Sequence, residues 1–132
     1  MRRSGYTDDV GDNLLTGRWR GMVASASRGS RGQKFFVDLV AALDEMTDKS
    51  LTVNELVDEE GNVCALGALG VARNLDMSSI DPGEPEEVAA MFGIAPCLAQ
   101  ETVHMNDDHF DRMIPTERWK AMRAWAVGNI KK

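Results

Sequence analysis

Four groups of residues in this 132-residue chain are of types that could do chemistry. His104, Asp107, Asp108, His109 and Asp111 gather imidazoles and carboxylates, the donors that bind zinc, iron or manganese. His104 and His109 stand at i and i+5, which does not put both on one helical face, and neither an HExxH nor an EF-hand pattern is present. The plainer alternative is a solvated acidic turn. Cys64 with His104 or His109 would be the pair for nucleophilic catalysis. Among Val63, Ala65 and Leu66, however, a lone cysteine reads as a buried apolar residue whose thiol is inert. A serine triad has no support, since no Gly-x-Ser-x-Gly elbow occurs.

The third group is Arg28-Gly29-Ser30-Arg31-Gly32, a basic break that opens a helix. Backbone N–H groups with flanking arginines favour phosphate. Arg2, Arg3, Arg18, Arg20 and Lys34 extend the patch, and Tyr6 and Trp19 could stack on bases. The segment lacks the Lys-Ser/Thr ending of a P-loop. The alternative is an inter-helix turn whose arginines pair with the acidic part of the chain, with Trp19 in the core. The fourth group is acidic: Asp58-Glu59-Glu60, Glu84/Glu86/Glu87 and Asp107/Asp108/Asp111. Spaced carboxylates can imitate phosphates in a basic groove; solvated loops and helix starts are the ordinary reading.

These groups must be positioned by helices. From Asn13 to Ser27, Leu15, Trp19, Met22, Val23 and Ala26 form one apolar face, while Gly17, Gly21 and Ala24 fall opposite. That small-residue side marks Gly17 and Gly21 as a candidate partner surface, whether the partner is a helix of this chain or another molecule. Gly29 is expected to end this helix in a left-handed conformation, and Ser30 to cap the next. From Arg31 to Met46, Phe35, Phe36, Leu39, Val40, Leu43 and Met46 share a face, and the two helices are expected as antiparallel neighbours.

Residues 47–63 stay open. Leu51-Thr52-Val53 has strand character and Glu60-Gly61-Asn62 is a turn signal, so a small hairpin or a helical turn with a loop both fit. A buried helix over Cys64–Asn74 packs closely through Gly67 and Gly70. Shorter helices follow, one ending near Gly93 and one over Pro96–Met105, and Pro115 opens the last. On that last helix Trp119, Met122, Ala126 and Ile130 make an apolar stripe. The expected fold is mainly α: a compact single-domain bundle of five or six short helices around Trp19, Phe36, Leu43, Leu66, Leu69 and Trp119. A small β-hairpin near residues 51–63 is its one β alternative. Residues 1–12 are expected as a flexible N-terminal arm and 13–132 as a single helical domain.

Composition bounds the function. Hydrophobic residues make up 43%, enough for one core. The net charge of −6 hides a segregation. Residues 1–34 carry seven Lys/Arg against three acids, residues 35–112 three against seventeen, and residues 113–132 five against one. Arg2 and Arg3 resemble the start of a signal peptide, but Asp8 and Asp9 stand where its apolar segment belongs. No apolar stretch approaches the roughly 20 residues that span a bilayer. Two cysteines 33 positions apart make neither a disulfide framework nor a paired zinc knuckle. A cytoplasmic protein with no membrane partner and no cofactor is expected.

The opening Arg2-Arg3-Ser4-Gly5-Tyr6, the run Arg28-Gly29-Ser30-Arg31-Gly32-Gln33, and the block Cys64-Ala65-Leu66-Gly67-Ala68-Leu69 resemble small phage and prophage proteins of unknown function. In these a later Asn-Asp step and a C-terminal helix follow, as do Asn106-Asp107 and the helix carrying Arg118-Trp119 here. The resemblance implies a phage or prophage origin and no particular activity. The leading expectation is therefore a non-enzymatic accessory protein that binds a host macromolecule, a host protein such as a defence component. The alternatives are a nucleic-acid-binding module using Arg2, Arg3, Arg18, Arg20, Arg28 and Arg31, and a metal-dependent enzyme at His104, Asp107, Asp108 and His109.

Overall fold

Three of the helices begin on proline, which suits a first helical position because its missing N–H would have no partner there. They are α4 (Pro85–Phe92), α5 (Pro96–His104) and α6 (Pro115–Gly128). Before them run α1 (Asn13–Arg28), α2 (Ser30–Glu45) and α3 (Ala65–Ala72). A π-helical turn, Met105–His109, continues α5. The computed structural model describes residues 13–109 and 113–131, with side chains except at 13–16, 108 and 109. The expected N-terminal arm, and with it Arg2, Arg3 and Tyr6, lies outside the described residues. Among the described residues the fold is mainly helical, with no strand.

Helix α2 is the spine. Phe35, Phe36, Leu39, Ala42 and Leu43 are buried along one face. That face packs against α3 and α6, while α4 packs on α5. Leu66 and Leu69 from α3, Val88 and Phe92 from α4, Leu98 and Val103 from α5, and Met122 and Ala126 from α6 complete one contiguous core. Phe36 meets Trp125 edge-on at 5.3 Å. Trp119 packs against the core half-buried, its indole N–H donating to the Leu43 carbonyl at 3.1 Å. Trp19 is half-buried and falls outside the core cluster, so it is not the central residue expected.

Helices α1 and α2 are joined through a single residue. Gly29 is extended (φ −68°, ψ 165°), not left-handed, and Ser30 already belongs to α2. The residue that needs to be glycine is Gly32, where a Cβ would collide with the Ala26 carbonyl at the end of α1. Gln33 ties this corner down. Its amide donates to the carbonyls of Ser27 (2.7 Å) and Asn129 (2.8 Å) and accepts from the Lys131 N–H (2.8 Å).

Residues 51–63 do not form a hairpin ladder. One isolated antiparallel bridge, Val57 to Val63, closes the Asp58–Asn62 turn, in which Gly61 takes φ +84°. Asn54 at φ +69° breaks the extended chain between Leu51 and Leu56. That break lets both leucines bury, at the expense of strand pairing. Helix α3 is buried around Ala65–Gly70 and seats its Gly67 against the Leu56 carbonyl. It ends at Ala72, two residues before the expected end, because Asn74 turns left-handed (φ +58°). The Asn74 and Leu75 N–H groups then return to the carbonyls of Val71 and Gly70 in a Schellman arrangement.

Candidate interaction site

The residues singled out by sequence divide into those that hold the fold and those that face solvent. The "CALGAL" block and the Asn-Asp step belong to the first kind and meet in one buried node. Cys64 caps α3, its Sγ accepting the Gly67 N–H at 3.4 Å. Asn106, on the π-helical turn, accepts from the Ala65 N–H (3.1 Å) and donates to the Thr52 carbonyl (3.0 Å) and to Asp107 (2.7 Å). Burial, with the Asp107 charge nearby, pushes the Cys64 thiol up to about 12 despite the Gly67 N–H bond. At neutral pH it is a protonated core residue, as its apolar neighbours implied.

Of the His/Asp cluster, His104 and Asp107 are described with their side chains. Asp107 is buried against Asn106, so it leaves the proposed acidic phosphate-mimicking surface. His104 ends α5 half-buried. The side chains of Asp108 and His109, and Asp111 entirely, lie outside the described residues. Among the described residues, no three His, Cys, Asp or Glu side chains are placed to hold a metal ion.

Arg118 had no sequence signal beyond its place beside Trp119, and it is buried. Its guanidinium donates to the carbonyls of Leu51 (2.9 Å) and Met113 (2.8 Å), locking the start of α6 to the loop before α3.

Two sets face solvent: the acidic residues Glu59, Glu60, Glu84, Glu86 and Glu87, and the outer face of α1 with its corner at α2. Between residues 13 and 37 stand Arg18, Arg20, Arg28, Arg31 and Lys34, and no Asp or Glu. All four arginines are exposed. The acidic part of the chain finds other partners: Asp38 bonds Arg73 (2.8 Å) and Lys34 (3.1 Å), and Asp44 bonds Arg123 (2.6 Å). None of the ion pairs among the described residues takes Arg18, Arg20, Arg28 or Arg31. The expected pairing of the N-terminal arginines with the acidic middle is thus not seen among these residues. The C-terminal basic stretch does fold back, through Arg123.

Along α1, Arg18, Gly21, Ser25 and Arg28 follow one another at i, i+3, i+7 and i+10 on the solvent side. Gly17 and Gly21 meet nothing where a Cβ would stand, so their small-residue face is not used inside the fold. Beside it lies a shallow apolar trough lined by Arg18, Gly21, Met22, Ser25, Ala95 and Cys97. Met22 is 55% exposed, although its spacing placed it on the apolar stripe. No protein family, no curated protein and no solved structure matches the chain.

Proposed function

We propose that this chain is a non-enzymatic accessory protein of phage or prophage origin that binds a host protein through the outer face of α1. The origin rests on the resemblance of the Arg2–Tyr6, Arg28–Gln33 and Cys64–Leu69 segments. The binding surface rests on one observation: an open apolar trough with the exposed Met22 lies beside exposed arginines in a stretch that has no carboxylate. A host protein offering acidic side chains around an apolar anchor satisfies both halves of that surface. Arginine and methionine are both enriched at the centres of interfaces. The capped, protonated thiol of Cys64 and the structural tasks of Gly32, Gln33, Asn106 and Arg118 leave the arginines as the motif residues free for contact.

The second reading is a nucleic-acid module on the same arginines, favoured by the absence of carboxylates from 13 to 37. The two readings separate at Met22. Phosphates would meet the arginines and leave the methionine idle. Affinity capture from host lysate, with and without nuclease, tests this. A host-protein complex survives nuclease and is lost on Met22→Gln as well as on Arg28→Glu/Arg31→Glu. Nucleic acid instead would be retained by Met22→Gln, released steeply as salt rises, and lost only on charge reversal. That pattern would replace the protein reading.

A further inference from the structure

On a different part of the surface, the loop at 55–59, the outer edge of α3 and the connection 75–82 enclose a groove of about 650 Å³. Its apolar wall includes Val57 (40% exposed) and Val71 (57% exposed), both open to solvent, with Met77 and Ile80 half-buried beside them. Its rim carries Glu55, Asp58, Glu59 and Asp76, and no Lys, Arg or His lines it. From Ser50 to Ala72 the chain has no cationic residue.

We propose that this groove is a docking site for a cationic amphipathic segment of a partner protein, one that sets lysines or arginines around aliphatic anchors. Charge complementarity selects that occupant. A neutral apolar segment would strip water from four carboxylates and give them no partner, which is unfavourable. A polar cationic segment would leave Val57 and Val71 wet. An anionic surface, nucleic acid included, would be repelled. Asp58 and Asp76 are ionised at neutral pH. The burial that opposes ionisation of Asp58 is outweighed by N–H groups from Asn62 and Glu60, and Ser78 holds the Asp76 carboxyl below its usual range. These two shape their own turns, whereas Glu55 and Glu59 are exposed on the rim. An amphipathic helix laid in a groove is an established recognition mode, with apolar anchors for affinity and flanking charge for encounter rate and selectivity.

The site is independent of the α1 face and stands whether or not that face binds a host protein. The test is fluorescence anisotropy with a labelled peptide of leucines and lysines spaced as an amphipathic helix. Two comparison peptides keep the lysines with serine in place of leucine, or keep the leucines with glutamate in place of lysine. The folded state of each variant is checked by circular dichroism. Glu55→Lys/Glu59→Lys and Val71→Gln should each weaken the Leu/Lys peptide by about tenfold, while Arg18→Glu/Arg28→Glu should not weaken it. Equal binding of the Lys/Ser peptide would overturn the proposal, since charge alone would then suffice. So would indifference to both groove variants. A protein that doubles its own mass with concentration, and stops doing so on Glu55→Lys/Glu59→Lys, would place a second copy in the groove instead.

Discussion

An added Cβ atom sorts five of the described glycines into three kinds. At Gly67 it would strike the Leu56 carbonyl and at Gly32 the Ala26 carbonyl, both backbone atoms that have no room to yield. At Gly70 it would strike the side chain of Met77, which can swing away. At Gly17 and Gly21 it would meet open space. Stability should follow that order. Gly67→Ala should cost about 1–3 kcal/mol, as overpacking does, and Gly70→Ala less. Gly17→Ala should gain about 0.5–1 kcal/mol, because alanine loses less chain entropy than glycine in a helix. Urea midpoints at constant slope read all three, and a stabilised Gly67→Ala would refute the close approach. Asn106 offers a second residue-scale test. Its amide serves the Ala65 N–H, the Thr52 carbonyl and Asp107 at once, in a site with 2% exposure. Asn106→Ala strands buried polar groups and should cost about 1–3 kcal/mol. Asn106→Ser should recover little, since a hydroxyl is too short to span the node. Equal stability of wild type and Asn106→Ala would show that the node carries no load.

At the scale of elements, α2 is held to its neighbours by charge as well as by its apolar face. Asp38 reaches Arg73 just past α3, and Asp44 reaches Arg123 on α6. Burial works against Asp38, but hydrogen bonds from Arg73 and Lys34 prevail and hold its carboxyl below the usual range. The Arg123 hydrogen bond does the same for Asp44. Depressed folded-state values mean stabilisation that is present above the unfolded pKa of about 3.9 and lost as pH falls through the folded values. Wild type should therefore lose stability as pH drops below about 4. Asp38→Asn/Asp44→Asn should flatten that slope while leaving a remainder from Asp58 and Asp76, whose carboxyls are also held down. Equal slopes between pH 3 and 5 would show that the pairs do not outlast solvent screening. The same elements explain what the sequence revealed. Helix α2 was legible because its apolar residues repeat on one face, α4 because glutamates crowd its first turn and Gly93 follows its end, and α5 and α6 because proline stands at their starts. Helix α3 was legible as small residues alternating with leucine. The segment 47–63 stayed open beyond its turn signal, because distant residues fix it: Arg118 holds Leu51 and Asn106 holds Thr52, across 67 and 54 positions. No local period records such bonds. The arginines of the candidate site were legible from charge. That they stand outside the described ion pairs was not, since that depends on which cations Asp38 and Asp44 meet in space.

For the molecule as a whole, folding resolves only part of the charge segregation. Of the C-terminal cations Arg123 pairs with α2, whereas the α1–α2 corner keeps its arginines exposed and the groove beside α3 keeps its carboxylates. The trough beside α1 and the acidic groove share no lining residue. On the two proposals above, partners of opposite charge would be held at once, an acidic one on α1 and a cationic one in the groove. Such a protein would act as a bridge. If so, the Leu/Lys peptide should not compete with the host partner for the chain. Its lysines should offset part of the −6 net charge and slightly strengthen an acidic partner at low ionic strength. Linkage requires the partner to strengthen the peptide by the same factor. Both effects should vanish at high salt, where the screening length falls to roughly 3 Å at 1 M. Sedimentation of the three components, at low and high salt, distinguishes the cases. A ternary complex with a small, reciprocal, salt-sensitive coupling is expected. Mutual exclusion would mean that a single surface carries both ligands, and the two-faced reading of the charge would fall with it.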